Sequence, residues 1–144
     1  MSAYADTAFI VSLFLLETTS SAARRAVLRL NGPLPLTPLA MLELQNTFNL
    51  AIARNRITPA DRDALWRQFE TQIRTGFFAE TAIPATELHV EARRLSDRYT
   101  PTLATRTLDL LHVGAAILLG AREFYSFDER QRRAAAGEGL RLRP

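Results

Sequence analysis

Four acidic residues of this chain stand inside or against apolar segments, and any fold that buries those segments has to account for their charge. Asp6 follows the strand-like start Ser2-Ala3-Tyr4-Ala5, and Glu43 lies in the helical stretch Pro38 to Arg54. Asp109 opens the almost wholly apolar run Leu108 to Leu119, and Asp128 follows Phe124-Tyr125-Ser126-Phe127. Isolated carboxylates are costly to bury. A like-charge cluster is worse, since two unit charges about 4 Å apart repel by roughly 4 kcal/mol at an effective dielectric of about 20. A hard divalent cation such as Mg²⁺ or Mn²⁺ removes that repulsion, because such ions prefer oxygen ligands. If the four acids meet in space, a metal-dependent enzyme is expected.

Composition narrows the alternatives. The 144 residues and 47% hydrophobic content suit one globular domain spanning residues 1–144. The absence of cysteine excludes thiol chemistry, disulfides and thiolate zinc sites. His89 and His112 are the only histidines, too few for a histidine-rich metal site. Every basic residue is arginine. A Walker-type phosphate loop and Schiff-base chemistry both need the missing lysine. No Gly-rich phosphate cradle and no G-x-S-x-G elbow is present. The arginine bias has two readings, genomic base composition and phosphate contact. A net charge of +3 does not separate them. The apolar run Ala8 to Leu16 is shorter than the roughly 20 residues a membrane span needs. Asp6, with no basic side chain, precedes it, unlike a signal peptide. A soluble, cytoplasmic protein with no membrane partner is expected.

Short strands alternate with helices along the chain, which argues for a parallel α/β sheet. A strand at about Ala3 to Ala5 precedes helices over Thr7 to Leu16 and Ser20 to Leu30. Asn31-Gly32-Pro33 stops the second helix, and Leu34 to Leu36 is the next strand. Thr37-Pro38 and Thr58-Pro59 each read as an N-cap followed by proline in the first turn. The second of these helices ends near Gly76. Phe77 to Ile83 reads as a strand and Thr86 to Tyr99 as an amphipathic helix, joined by a polar connection over Thr100 to Thr107 to the buried helix Leu108 to Leu119. A strand over Glu123 to Phe127, a helix over Glu129 to Ala136 and a strand at Leu140 to Leu142 complete the pattern.

In this layout Asp6 and Asp128 sit just past the C-terminal ends of strands, where open α/β sheets hold their crevice. Helical arithmetic at about 100° per residue puts Glu43 on one face with Leu39, Leu42, Asn46 and Leu50, expected to face the sheet. Asp109 begins the buried helix, with His112 one turn on. Each acid also has a structural reading. Asp6 can cap the following helix. Asp128 fits a capping box with Gln131. Asp109 suits a helix N-terminus. Glu43 is harder to place, since an arginine partner would have to reach it in the core. His112 reads as a packed, hydrogen-bonded histidine, and His89 as a surface residue. Arg24-Arg25 and Arg93-Arg94 read as solvated faces, whereas Arg130, Arg132 and Arg133 flank Asp128 and are candidates for phosphate contact.

Taken together, the four segments resemble the motifs of PIN-domain nucleases. Tyr4-Ala5-Asp6-Thr7-Ala8 resembles the opening of that family. Leu36 to Leu44 is similar to its second acidic motif, with Asn46 following, and Arg106 to Ala116 to its third. Phe124 to Gln131 is similar to the fourth. Length and motif style most resemble VapC toxins of type II toxin–antitoxin pairs. Ser126 stands where the family usually has threonine, and Gly114 where alanine is more common.

The resemblance implies a three-layer α/β/α domain with a central, mainly parallel sheet of four to five short strands. It also implies a ribonuclease in which Asp6, Glu43, Asp109 and Asp128 hold one or two Mg²⁺ or Mn²⁺ ions. A metal-activated water would then leave a 5′-phosphate and a 3′-hydroxyl. Thr7 and Ser126 would position a water or phosphate oxygen, and Asn46 would support Glu43. A VapC-type toxin further implies a homodimer, a cognate antitoxin and a structured RNA such as tRNA or rRNA. Apolar helices near Leu13, Leu16 and Leu50 are candidate surfaces for those protein partners. Two rivals are a phosphatase-like domain with a nucleophilic aspartate and a catalytically silent module of the same fold. The missing lysine, with no second acid two residues after Asp6, counts against the first, and the complete acidic set against the second. A PIN ribonuclease that processes RNA without being a toxin is a third alternative.

Overall fold

The computed structural model describes residues 3–144, so Ser2 of the strand-like start lies outside the described residues. Five short strands and seven helices alternate: β1 Ala3–Ala5, α1 Thr7–Phe14, α2 Ser20–Val27, β2 Leu34–Leu36, α3 Pro38–Ala53, α4 Pro59–Arg74, β3 Phe78–Glu80, α5 Ala85–Leu103, α6 Thr107–Leu118, β4 Glu123–Tyr125, α7 Glu129–Gly137 and β5 Arg141–Arg143. Every strand pairing is parallel. The ladder divides into two pieces, β1-β4-β5 and β2-β3, which meet where β1 lies beside β2.

The pleat of these strands assigns the layers. Ala3, Ala5 and Tyr125 point to one face and pack with Phe9, Ala23, Leu44, Phe48 and Phe69 from α1 to α4. Tyr4 and Phe124 point to the other face and pack with Leu95, Val113, Ala116 and Ala134 from α5 to α7. The rings of Tyr4 and Phe124 stack at 5.9 Å. This alternation is the period-2 consequence of strand geometry, and it gives the helix–sheet–helix sandwich expected from the sequence.

Several local expectations differ from the structure: β3 is Phe78–Glu80, shorter than the strand expected over Phe77 to Ile83, and α1 and α2 end at Phe14 and Val27, short of Leu16 and Leu30. The buried row of α3 is Ala40, Leu44, Phe48 and Ala51, while Leu42 and Leu50 are exposed. So many α3 positions are apolar that no single stripe is marked in the sequence, and packing between α1 and α4 selects the row. Helix α5 continues through Pro101 to Leu103 instead of ending at Tyr99. Proline's fixed φ is compatible with a helix, so the last turn continues past Pro101 at the loss of the one hydrogen bond its N–H would have made to the Asp97 carbonyl. Ala104, at φ 53°, ends the helix in the left-handed conformation, with its N–H donating to the Thr100 carbonyl at 3.0 Å. Strand β4 stops at Tyr125, two residues earlier than expected, because the chain leaves the sheet at Ser126 to enter the site.

Candidate metal centre

The C-terminal ends of β1 and β4 place Asp6 and Ser126 side by side. The backbone N–H of Asp6 still bonds to the Tyr125 carbonyl at 3.1 Å, so the two chains leave the sheet in register. Oδ1 of Asp6 accepts the N–H of Phe9 at 2.8 Å, capping α1. Oδ2 accepts the Ser126 hydroxyl at 2.5 Å, within the range of a charge-assisted O–H···O⁻ bond. Ser126 Oγ in turn accepts the N–H of Asp128 at 3.0 Å.

The other acids arrive from helices. Glu43, half-buried on α3, accepts at Oε1 from the Thr7 hydroxyl at 2.9 Å, and His112 Nε2 lies 2.6 Å from the same oxygen. The partner that makes this carboxylate tolerable is thus a histidine, not an arginine. Asp109, in the first turn of α6, accepts the Arg106 N–H at 2.8 Å and the Gln131 side-chain amide at 3.1 Å. Asp128 caps α7 by accepting the Gln131 N–H at 2.9 Å. The reciprocal half of the expected capping box does not form, because the Gln131 side chain turns to Asp109 instead.

Asp6, Thr7, Glu43, Asp109, His112 and Gln131 line one cavity of about 350 Å³. Asp128 is exposed and does not line this cavity; it is linked to Asp6 only through Ser126. Asn46 is exposed and makes no hydrogen bond to Glu43, so the supporting role expected of it falls to Thr7 and His112. Arg132 is not free for phosphate: it donates to the backbone carbonyls of Ser126 and Arg143 and ties α7 to the sheet.

Arg106 also lines the cavity. Among the described residues, no arginine pairs with Asp6, Asp109 or Asp128. Burial pushes the Asp6 carboxyl above the usual carboxylate range, against the pull of Ser126 and Phe9, and the charge of Asp128 adds to the rise. Burial also acts upward on Glu43, but the hydrogen bond and charge of His112, with help from Thr7, leave that carboxyl below its usual range. The carboxylates stand apart: among the described residues, no three acidic or histidine side chains are close enough to enclose a metal ion in this arrangement. Their chemistry nonetheless fits a hard cation. All are oxygen donors, and a carboxylate oxygen that accepts one hydrogen bond keeps a lone pair. Gln131 adds a buried amide oxygen with no hydrogen-bond partner.

The PIN domain family model matches residues 3–137, and the chain belongs to that family. No curated protein matches the sequence. Among solved structures the chain is similar to Mycobacterium tuberculosis VapC20, a sarcin–ricin loop cleaving toxin, at TM-score 0.71 and 17% identity, covering 99% of this chain and 100% of that one. It is similar to FitAcB from Neisseria gonorrhoeae at TM-score 0.73 and 14% identity, covering 99% and 96% of the two chains. It also resembles VapBC2 from Rickettsia felis, bound to a DNA fragment from their promoter, at TM-score 0.69 and 13% identity over 99% and 97%. At these identities the likeness establishes the fold.

Two contributors to the cavity were not singled out from the sequence for the roles they take. Gln131 follows Asp128 by three residues, a spacing that suggested only a cap. His112 follows Asp109 by three, which places it on the same side of α6 and was the available signal.

Proposed function

We propose that this chain is a Mg²⁺- or Mn²⁺-dependent endoribonuclease of the VapC toxin type, acting on structured RNA such as tRNA or rRNA. The observation that carries the reading is one cavity holding Asp6, Glu43 and Asp109 with no arginine paired to Asp6 or Asp109. Asp6, Glu43 and Asp109, joined by Asp128 from beyond Ser126, would hold the cation. A divalent ion bound there supplies an acidified water and charge neutralisation at a phosphodiester. Ser126 holds Asp6 through Oδ2, and Thr7 holds Glu43 through Oε1, so the two hydroxyls orient carboxylates. Three of the acids sit at helix N-termini, whose dipoles stabilise their negative charge while leaving lone pairs for a ligand.

The similarity to VapBC2 supports a cognate antitoxin partner, and the resemblance to VapC toxins implies a homodimer. Exposed apolar residues are available for such contacts, since Leu16 is 83% exposed and Leu42 66%. Leu13 and Phe14 line a groove with Phe77. No described helix is long and apolar enough to cross a membrane.

The test is cleavage of total RNA and a tRNA pool by purified protein with Mg²⁺, Mn²⁺ or EDTA, beside Asp6→Asn. Discrete fragments that need metal and disappear in the variant are expected. Cleavage that persists in Asp6→Asn or in EDTA would rule the reading out.

A further inference from the structure

Behind Glu43 runs a buried chain of hydrogen bonds that the acidic motifs do not announce. His112 is 2% exposed and reaches three side chains, with the Thr7 hydroxyl the most distant at 3.4 Å from Nε2. Its Nε2 is 2.6 Å from Oε1 of Glu43, and its Nδ1 is 2.8 Å from the Tyr4 hydroxyl. A tyrosine phenol carries its proton at neutral pH. A phenol in that state donates to Nδ1. An imidazole that accepts at Nδ1 carries its proton at Nε2, the atom facing the carboxylate. The opposite neutral tautomer would set two acceptors against each other at 2.6 Å. The hydroxyl therefore fixes the tautomer, and the tautomer makes His112 a donor. With the Thr7 hydroxyl at 2.9 Å, Oε1 receives two donors. Among the described residues no hydrogen bond reaches Oε2.

We propose that Tyr4 and His112 are positioning residues, which hold Glu43 by Oε1 and leave Oε2 as the oxygen offered to a divalent cation. This rests on the metal-dependent reading above. A packed core histidine with no such role would show no link between the Tyr4 hydroxyl and metal affinity. Tyr4→Phe separates the two, because it deletes the hydroxyl and retains the ring stacked on Phe124.

The experiment reads the histidine side-chain nitrogens by ¹⁵N NMR in the metal-free protein at neutral pH, then titrates Mn²⁺ into wild type and Tyr4→Phe. We expect Nε2 of the wild-type His112 to carry a proton, and that preference to be lost in Tyr4→Phe. Mn²⁺ affinity should fall about tenfold in Tyr4→Phe, the lower end of what loss of a ligand-orienting partner costs. A wild-type His112 protonated on Nδ1 alone overturns the proposal whether or not the variant folds. So does a Tyr4→Phe protein with unchanged tautomer or unchanged Mn²⁺ affinity. Failure of the wild type to bind Mn²⁺ at all sinks the metal reading and this inference with it. Equal binding by the two proteins sinks only the positioning role.

Discussion

Ser126 and Asp6, 120 residues apart in sequence, are joined by a hydrogen bond of 2.5 Å from the serine hydroxyl to Oδ2. The bond crosses from the end of β4 to the end of β1, so the parallel pairing of these strands is what assembles this part of the site. Removing the hydroxyl in Ser126→Ala should leave one Asp6 oxygen without its donor and free the N–H of Asp128. Cleavage should fall about 10- to 100-fold while the fold survives. Activity equal to wild type in a kinetic assay would show that the bond has no role in the site.

Asp6 is 1% exposed and its carboxyl is pushed up chiefly by burial. A raised carboxylate destabilises the fold once it ionises, so metal-free Asp6→Asn should be more stable than wild type at neutral pH. The gain should be about 1 kcal/mol, a rise of ~3 °C in melting temperature. Added Mn²⁺ should raise the melting temperature of the wild type and leave Asp6→Asn unchanged, as follows if only the wild type binds the ion. Differential scanning fluorimetry with and without EDTA reads both effects.

Two glycines make opposite predictions. A Cβ at Gly114 would meet Leu88, Glu91 and Leu95 at 3.5 to 3.7 Å, which is ordinary contact. Gly114→Ala should therefore stabilise by about 0.5–1 kcal/mol through helix propensity. At Gly137 the added carbon would lie 2.3 Å from the Tyr99 hydroxyl, which is held by Glu138. Gly137→Ala should cost about 1–3 kcal/mol by overpacking. Urea unfolding midpoints that moved in the same direction for both would contradict this packing account.

Glu138 ties the end of α7 to α5 through Arg94 at 2.7 Å, Tyr99 at 2.8 Å and Arg98 at 3.1 Å. The hydrogen bond from Arg94 holds its carboxyl below the usual range, against the opposing effect of burial. A depressed carboxylate stabilises the fold above its unfolded pKa, and that contribution is lost as pH falls through the lower folded value. Stability should thus decline on acidification below the ordinary glutamate value of 4.5. Glu138→Gln should be about 1–2 kcal/mol less stable at neutral pH and show a shallower acid limb. Melting temperatures of the two proteins across that pH range test the sign.

Much of this organisation is legible in the residues themselves. The short apolar run Ala3-Tyr4-Ala5 and the caps Thr37 and Thr58 are local features, and local features are written in the sequence. The position of Asp6 beyond a strand end was readable for the same reason. What could not be read depends on packing between distant elements. Asn46 looked a natural neighbour of Glu43 by helical spacing, yet the rotation of α3 against α1 and α4 turns it to solvent. The same rotation brings Glu43 to His112, a contact 69 residues apart that no single segment encodes. Gln131 carries a cap signal through its backbone, but its side chain serves Asp109, 22 residues earlier.

The central claim is that these carboxylates form a divalent-cation site, and locating the ion tests it most directly. Crystals of the wild type and of Asp6→Asn soaked in Mn²⁺ would be measured for anomalous scattering. The account predicts one or two peaks within ligand distance of Asp6, Glu43, Asp109 and Asp128, drawn together around the ion, and none at that place in Asp6→Asn. Mn²⁺ absent from the cavity at saturating concentration, or bound there equally in Asp6→Asn, would contradict it.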